Sequence, residues 1–128
     1  MKLEDFNNAY GYKNDPKEYD QWIIPPIVDG KIRDDCDGYS LGVLYYVVAN
    51  ESIFRFWWLL LTSAKIHRVY NDGHHVVLRV KDRYIDNWTR EWVDKAHMES
   101  LGHKFYCFQH PLFSVVVKML YTKIRGML

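Results

Sequence analysis

Cys36 stands in an acidic run, Asp34-Asp35-Cys36-Asp37, just ahead of a periodic apolar stretch. Asp34 and Asp35 are good helix caps, and Leu41, Leu44, Tyr45 and Val48 recur at the spacing of a buried helical stripe. A helix is therefore expected from about Cys36 to Ala49, with the thiol on its first turn. Unpaired N–H groups and the helix dipole there favour a thiolate and can hold the oxyanion of an acyl intermediate. The three neighbouring carboxylates oppose a negative sulfur. A reactive Cys36 thus needs a positive partner, either an imidazolium or a hard cation held by carboxylate oxygens. The plainer alternative makes Cys36 a small buried hydrophobe and the aspartates solvent-facing caps.

A base and its orienting group are found further along the chain. Residues 75–80 and 84–88 read as two strands of a hairpin. Side chains alternate along a strand, so His75, Val77 and Arg79 share one face, and Val76, Leu78 and Val80 the other. A two-residue turn at Lys81-Asp82 pairs Val80 with Arg83, Val77 with Asp86 and His75 with Trp88. Asp86 then lies diagonal to His75, within hydrogen-bonding reach, whereas a three-residue turn puts it on the wrong face. In this register Val76, Leu78, Val80 and Ile85 form the core face. His75 would take the proton of Cys36, Asp86 would fix the imidazole's tautomer, and Trp88 would shield the pair from water. Singly, His75 is an ordinary strand histidine and Asp86 a turn residue. Together with a cysteine at a helix start they form a triad.

The remaining elements frame these three. Residues 1–35 are polar and punctuated by Asp15-Pro16, Pro25-Pro26 and Asp29-Gly30, so a loop wrapping the core is expected, anchored by Trp22, Ile23 and Ile24. Residues 53–61 are apolar without clear period; a buried strand is the preferred reading, and a helix reaching about Ser63 the alternative. Thr89 is placed as the cap of a short helix ending near Gly102. A strand from His103 to Phe108 and a helix from Leu112 to Ile124 complete an α+β fold. His97, His103 and His110 are spaced too loosely for a zinc site, and Cys107, flanked by aromatics, is expected in the core. Lys118, Lys123 and Arg125 are expected on a solvated helix face.

Composition bounds the rest. The 128 residues suit a single domain, and 48% apolar residues suffice for one core. A formal net charge of +1 gives no global field to attract nucleic acid or an anionic membrane. Only 2 Cys are present, which argues against a disulfide framework. The first residues carry no apolar core of a signal peptide, and no apolar run approaches the ~20 residues that span a bilayer. A cytoplasmic protein is expected.

These motifs, in this order, resemble the bacterial transglutaminase-like cysteine proteinases, of the transglutaminase and papain-like superfamily. DDCDGYSL at 34–41 resembles the family's nucleophile motif, HVVL at 75–78 its histidine motif and IDN at 85–87 its aspartate motif. DQWIIP at 20–25 is similar to its D-x-W-x-x-P element, and the likeness is weak after Trp88. The Val-Val-Leu that follows His75 selects it over His74. The resemblance implies a papain-like core, with the nucleophile at a helix N-terminus packed on a small antiparallel sheet. It also implies hydrolysis or transfer at a peptide or amide bond through a thioester. Trp22 would line the site or help the oxyanion hole, if it is not only a core anchor, and Asn87 would support the Asp86 loop. Calcium, which periplasmic members bind through acidic residues around the nucleophile, would fall to Asp35 and Asp37; no other cofactor is implied. The chain looks like the compact single-domain versions of tailed phages, which would work in the host cytoplasm on a protein or peptide substrate. Two other classes stay open: an inactive protease-like scaffold serving as a protein-binding module, and an effector that modifies a glutamine side chain.

Overall fold

A computed structural model of the chain describes residues 1–13, 21–106 and 112–127. Asp15-Pro16, Asp20, Cys107, Phe108 and His110, all named above, lie outside the described residues. The fold is a mixture of helix and sheet built around a small antiparallel sheet, as expected of α+β.

The N-terminal segment is more regular than the loop expected of it. Helix α1 (Leu3–Ala9) carries Glu4 and Asp5 on its first turn, where they favour the dipole, and buries only Phe6. One buried residue in seven leaves little periodicity to read. Phe6 meets Tyr39 edge-on at 5.4 Å, and Tyr46 at 6.1 Å, between ring centres. Strand β1 (Tyr10–Tyr12) then runs parallel to β2 (Ile32–Asp34), which leads the chain into Cys36. Trp22 is buried as an anchor, and its N–H donates to the Thr122 hydroxyl at 2.9 Å.

Helix α2 (Cys36–Gly42) begins where expected but passes into a π-helical segment, Val43–Val48, before Ala49. Residues 53–61 form a helix, not the preferred strand. α3 (Ile53–Thr62) opens on Ser52, whose hydroxyl accepts the Arg55 N–H at 3.3 Å. It buries Phe56 and Leu60, one helical repeat apart, while Phe54 and Trp58 stay 85% and 63% exposed. An apolar outer face hid the period.

The central sheet has the order β5-β4-β3-β6. β3 (Ala64–Tyr70) was not foreseen: both of its faces are covered, so it lacks clean alternation. It pairs with β4 (His74–Val80) from Ala64↔Val80 to Tyr70↔His74. β4 pairs with β5 (Arg83–Ile85) in the expected register, Val80↔Arg83 and Leu78↔Ile85, around the two-residue turn Lys81-Asp82. Leu78 and Ile85 enter the main core and Val76 and Val80 pack against it. Val77 on the opposite face joins Val69, Tyr84 and Met98 in a second cluster.

β5 ends three residues before Trp88 because Asp86 turns the chain. Its Oδ1 accepts the N–H groups of Trp88 at 3.2 Å and Thr89 at 2.8 Å, and the Thr89 hydroxyl at 2.9 Å. Thr89 therefore closes this turn instead of capping a helix. α4 (Lys95–Ser100) is capped by Asp94, which accepts the His97 N–H at 2.8 Å. Gly102 follows with φ of 98° and returns the chain to β6 (Lys104–Phe105). α5 (Leu112–Met127) closes the described chain. Among the described residues, no helix is long and apolar enough to cross a membrane.

Candidate active site

The acidic run is organised by backbone donors. Asp34 Oδ1 accepts the Asp35 N–H at 2.8 Å. The carboxylates of Asp35 and Asp37 both accept the Gly38 N–H, at 3.3 and 3.0 Å. A Cβ on residue 38 would overlap the Asp34 carboxylate, so the glycine lets that carboxylate fold against the helix start. The three aspartates are all buried or nearly so, contrary to the solvent-facing alternative. The Tyr10 hydroxyl donates to the carbonyl of Asp34 at 2.7 Å and so braces the strand entering Cys36.

Cys36, half-buried, lines a cavity of about 500 Å³ together with Asp35, Asp37, His75, Trp22 and, from α5, Ser114 and Lys118. Arg68 of β3 also reaches it. Arg68 and Lys118 bring positive charge to the wall of the cavity that Asp35, Cys36 and Asp37 also line. Lys118 thus does more than face solvent; its ammonium also lies 5.4 Å from the centre of the Trp22 ring.

His75 and Asp86 meet as the register requires. His75 Nε2–H donates to Asp86 Oδ2 at 2.8 Å, and the pair is buried. With Nε2–H committed, Nδ1 carries the lone pair able to take a proton. Trp88 stacks on the imidazole with ring centres 4.0 Å apart and planes 12° from parallel, covering one face of it. His74 also borders the cavity, but its Nδ1 lies 3.2 Å from the Tyr106 hydroxyl, and it makes no hydrogen bond to Asp86 among those of the described residues. Asn87 is buried; its carbonyl accepts Arg90 Nε at 3.0 Å, and the Arg90 guanidinium lies over the Tyr10 ring. The Asp86 loop is thereby tied to β1, although Asn87 Oδ1 itself has no hydrogen-bond partner among the described residues.

His103 belongs to the same constellation, which sequence spacing did not suggest. Its Nε2 lies 2.7 Å from Asp86 Oδ2, the very oxygen that His75 uses, and its side chain has no solvent exposure. Asn71 Nδ2 sits 2.9 Å from His103 Nδ1. The readable signal was Gly102 at the end of a helical stretch: a glycine C-cap sends the next residue back toward the core. Burial acts to raise the Asp86 pKa. The hydrogen bonds from His103, His75 and Thr89, with the charge of His75, outweigh it and hold the carboxyl well below the usual range. Asp86 is therefore a fixed anion. His97, by contrast, is exposed on α4.

A thiol at a helix start and an imidazole that line one cavity, the imidazole oriented by a buried carboxylate behind it, can do nucleophilic acyl chemistry. No family model, no curated protein and no solved structure matches this chain.

Proposed function

We propose that the chain is a cysteine hydrolase of the transglutaminase and papain-like type that cleaves or transfers peptide or amide bonds. The observation that carries the reading is the buried His75–Asp86 hydrogen bond, on a ring that lines the same cavity as Cys36. The Cys36 thiol gives its proton to His75 Nδ1, and the sulfur bonds to the carbonyl carbon as the C=O electrons move to oxygen. Backbone N–H groups at the start of α2 are the donors for that oxyanion. Collapse expels the amine, which leaves with the proton from His75, and a thioester remains on Cys36. Water, deprotonated by His75, attacks the thioester; the C–S bond breaks, the carboxylic acid is released, and the Cys36 sulfur regains the proton from His75. An amine in place of water gives transfer.

The calcium implied by the resemblance has a donor set that fits. Asp34, Asp35 and Asp37 offer carboxylate oxygens within 4.8 Å of one another, and hard oxygen donors suit this ion. Bound there, calcium would supply positive charge beside the thiolate.

Mass spectrometry of the protein after incubation with peptide and ester substrates tests the proposal. An acyl adduct on Cys36, absent from Cys36→Ala, is expected. Turnover by Cys36→Ala equal to wild type would sink it.

A second reading, a protein-binding module on this scaffold, is favoured by one observation. Phe54, Trp58 and Leu61 of α3 and Phe113, Val117 and Leu120 of α5 are all exposed. A groove lined by Trp57, Trp58, Leu112 and Val116 joins the two helices. An apolar surface of this kind marks a contact site. It is compatible with catalysis as the place where a protein substrate docks.

A further inference from the structure

We propose that His103, held in a single tautomer by Asn71, is a positioning residue that sets the protonation of His75 through their shared Asp86 oxygen. The inference takes its functional meaning from His75 as the base of Cys36, but its test reads the imidazole directly.

The hydrogen-bond inventory fixes the tautomer. Asn71 Nδ2 donates to the Leu101 carbonyl at 3.1 Å, and a carbonyl can only accept, so the atom facing it is the NH₂ group. The same NH₂ lies 2.9 Å from His103 Nδ1. Nδ1 must therefore accept and carries no proton. The ring proton is on Nε2, pointing at Asp86 Oδ2, 2.7 Å away. Protonating His103 would set an N–H against the Asn71 N–H.

Asp86 thus serves two imidazoles of unequal character. His103 is a neutral donor that the network keeps neutral, whereas His75 has its Nδ1 available. The geometry therefore leaves His75 Nδ1, and not His103 Nδ1, as the ring nitrogen without a competing N–H donor facing it. The second N–H on Oδ2 also draws negative charge away from His75, which makes its imidazolium easier to discharge. The other charged or titratable groups lining the cavity with His75 are His74 on its own strand, Tyr12 from β1, Asp35, Cys36 and Asp37 at the start of α2, Arg68 from β3 and Lys118 from α5. These are untouched by substitution at 103 or 71.

The chain delivers His103 by a specific device. The Gly102 N–H bonds the Glu99 carbonyl at 3.0 Å and the His103 N–H the Met98 carbonyl at 3.3 Å. This pair of bonds with a left-handed glycine is the Schellman ending of a helix.

The experiment is an NMR titration of the ¹⁵N-labelled histidine rings in the full chain, with the His75 signal assigned by its absence from His75→Gln. His103→Leu removes the donor and should raise the His75 pKa by about one unit, a tenfold gain in proton affinity. His103→Gln places an amide N–H near the Nε2 position and should keep His75 close to wild type. Asn71→Asp, at a half-buried position, presents an acceptor to Nδ1; His103 should then hold two protons near neutral pH and the His75 pKa should fall. An unchanged His75 titration in His103→Leu overturns the inference. Should His103→Leu fail to fold, an unchanged His75 in Asn71→Asp overturns it equally. If these shifts occur while no acyl adduct forms on Cys36, the hydrolase reading fails and the positioning role stands.

Discussion

Asp86 accepts from every side: two imidazoles on Oδ2, and two backbone N–H groups and a hydroxyl on Oδ1. Asp86→Asn keeps the shape and replaces an acceptor with an NH₂, which must face N–H donors. We expect a loss of unfolding free energy of about 1–3 kcal/mol, read by urea titration. Thiol reactivity at Cys36 should fall on the order of 10²- to 10⁴-fold, because His75 loses its tautomer. Neither effect would occur if Asp86 were only a turn residue, for which asparagine is an ordinary substitute. Calcium gives a second residue-scale prediction: it should raise the melting temperature of wild type and not of Asp35→Asn/Asp37→Asn, with chelator abolishing the difference. His75 and Asp86 were legible because one strand register relates them. His103 was not, because 17 residues separate it from Asp86 and only tertiary packing joins the two.

Short elements with a single stringent residue position this site. Gly102 adopts φ of 98°, unfavourable for any residue with a Cβ. Gly102→Ala should therefore cost about 1–2 kcal/mol by chemical denaturation and loosen His103, seen as faster exchange of its backbone amide. A variant as stable as wild type would contradict this account of the α4 ending. The hairpin was readable in advance since Val76, Leu78, Val80 and Ile85 make sense on one face in one register only. α3 was misread because exposed Phe54 and Trp58 erased the period that buried Phe56 and Leu60 would have shown. α1 and β3 carried too few one-sided apolar positions to announce themselves. Surface exposure, set by what docks or does not dock, is invisible to a pattern that assumes polar outsides.

Across the whole molecule, protonation couples to folding with a definite sign. His67, between Tyr84 and Phe105, has its pKa pushed down from 6.5 to about 4 by burial and by the charges of Arg79 and Lys95. The unfolded chain gains that proton first, so stability declines as pH falls from 6.5 toward 4. Asp86, also depressed, extends the loss: its contribution is complete above the unfolded carboxylate range and vanishes as pH drops through its folded value. At the alkaline end, burial raises the Tyr10 and Tyr39 hydroxyls above 10, so stability falls once pH passes their unfolded value. Thermal unfolding across pH should trace a plateau from about 7 to 9 with losses on both sides. His67→Phe should flatten the decline between 6.5 and 4, and an unchanged decline would refute the role given to His67. The α+β class and the register that joins His75 to Asp86 could be read from the chain. The layout that lets one carboxylate serve two histidines could not, for it exists only once β3, β4 and β6 assemble.

The central claim is that Cys36 is a thiol served by His75, and the pH dependence of its alkylation by iodoacetamide measures this directly. An unassisted thiol titrates near ~8.5. We expect Cys36 to react well below that pH in wild type and to revert to the unassisted curve in His75→Ala. Alkylation of Cys36 that follows the unassisted curve in both proteins would contradict the account.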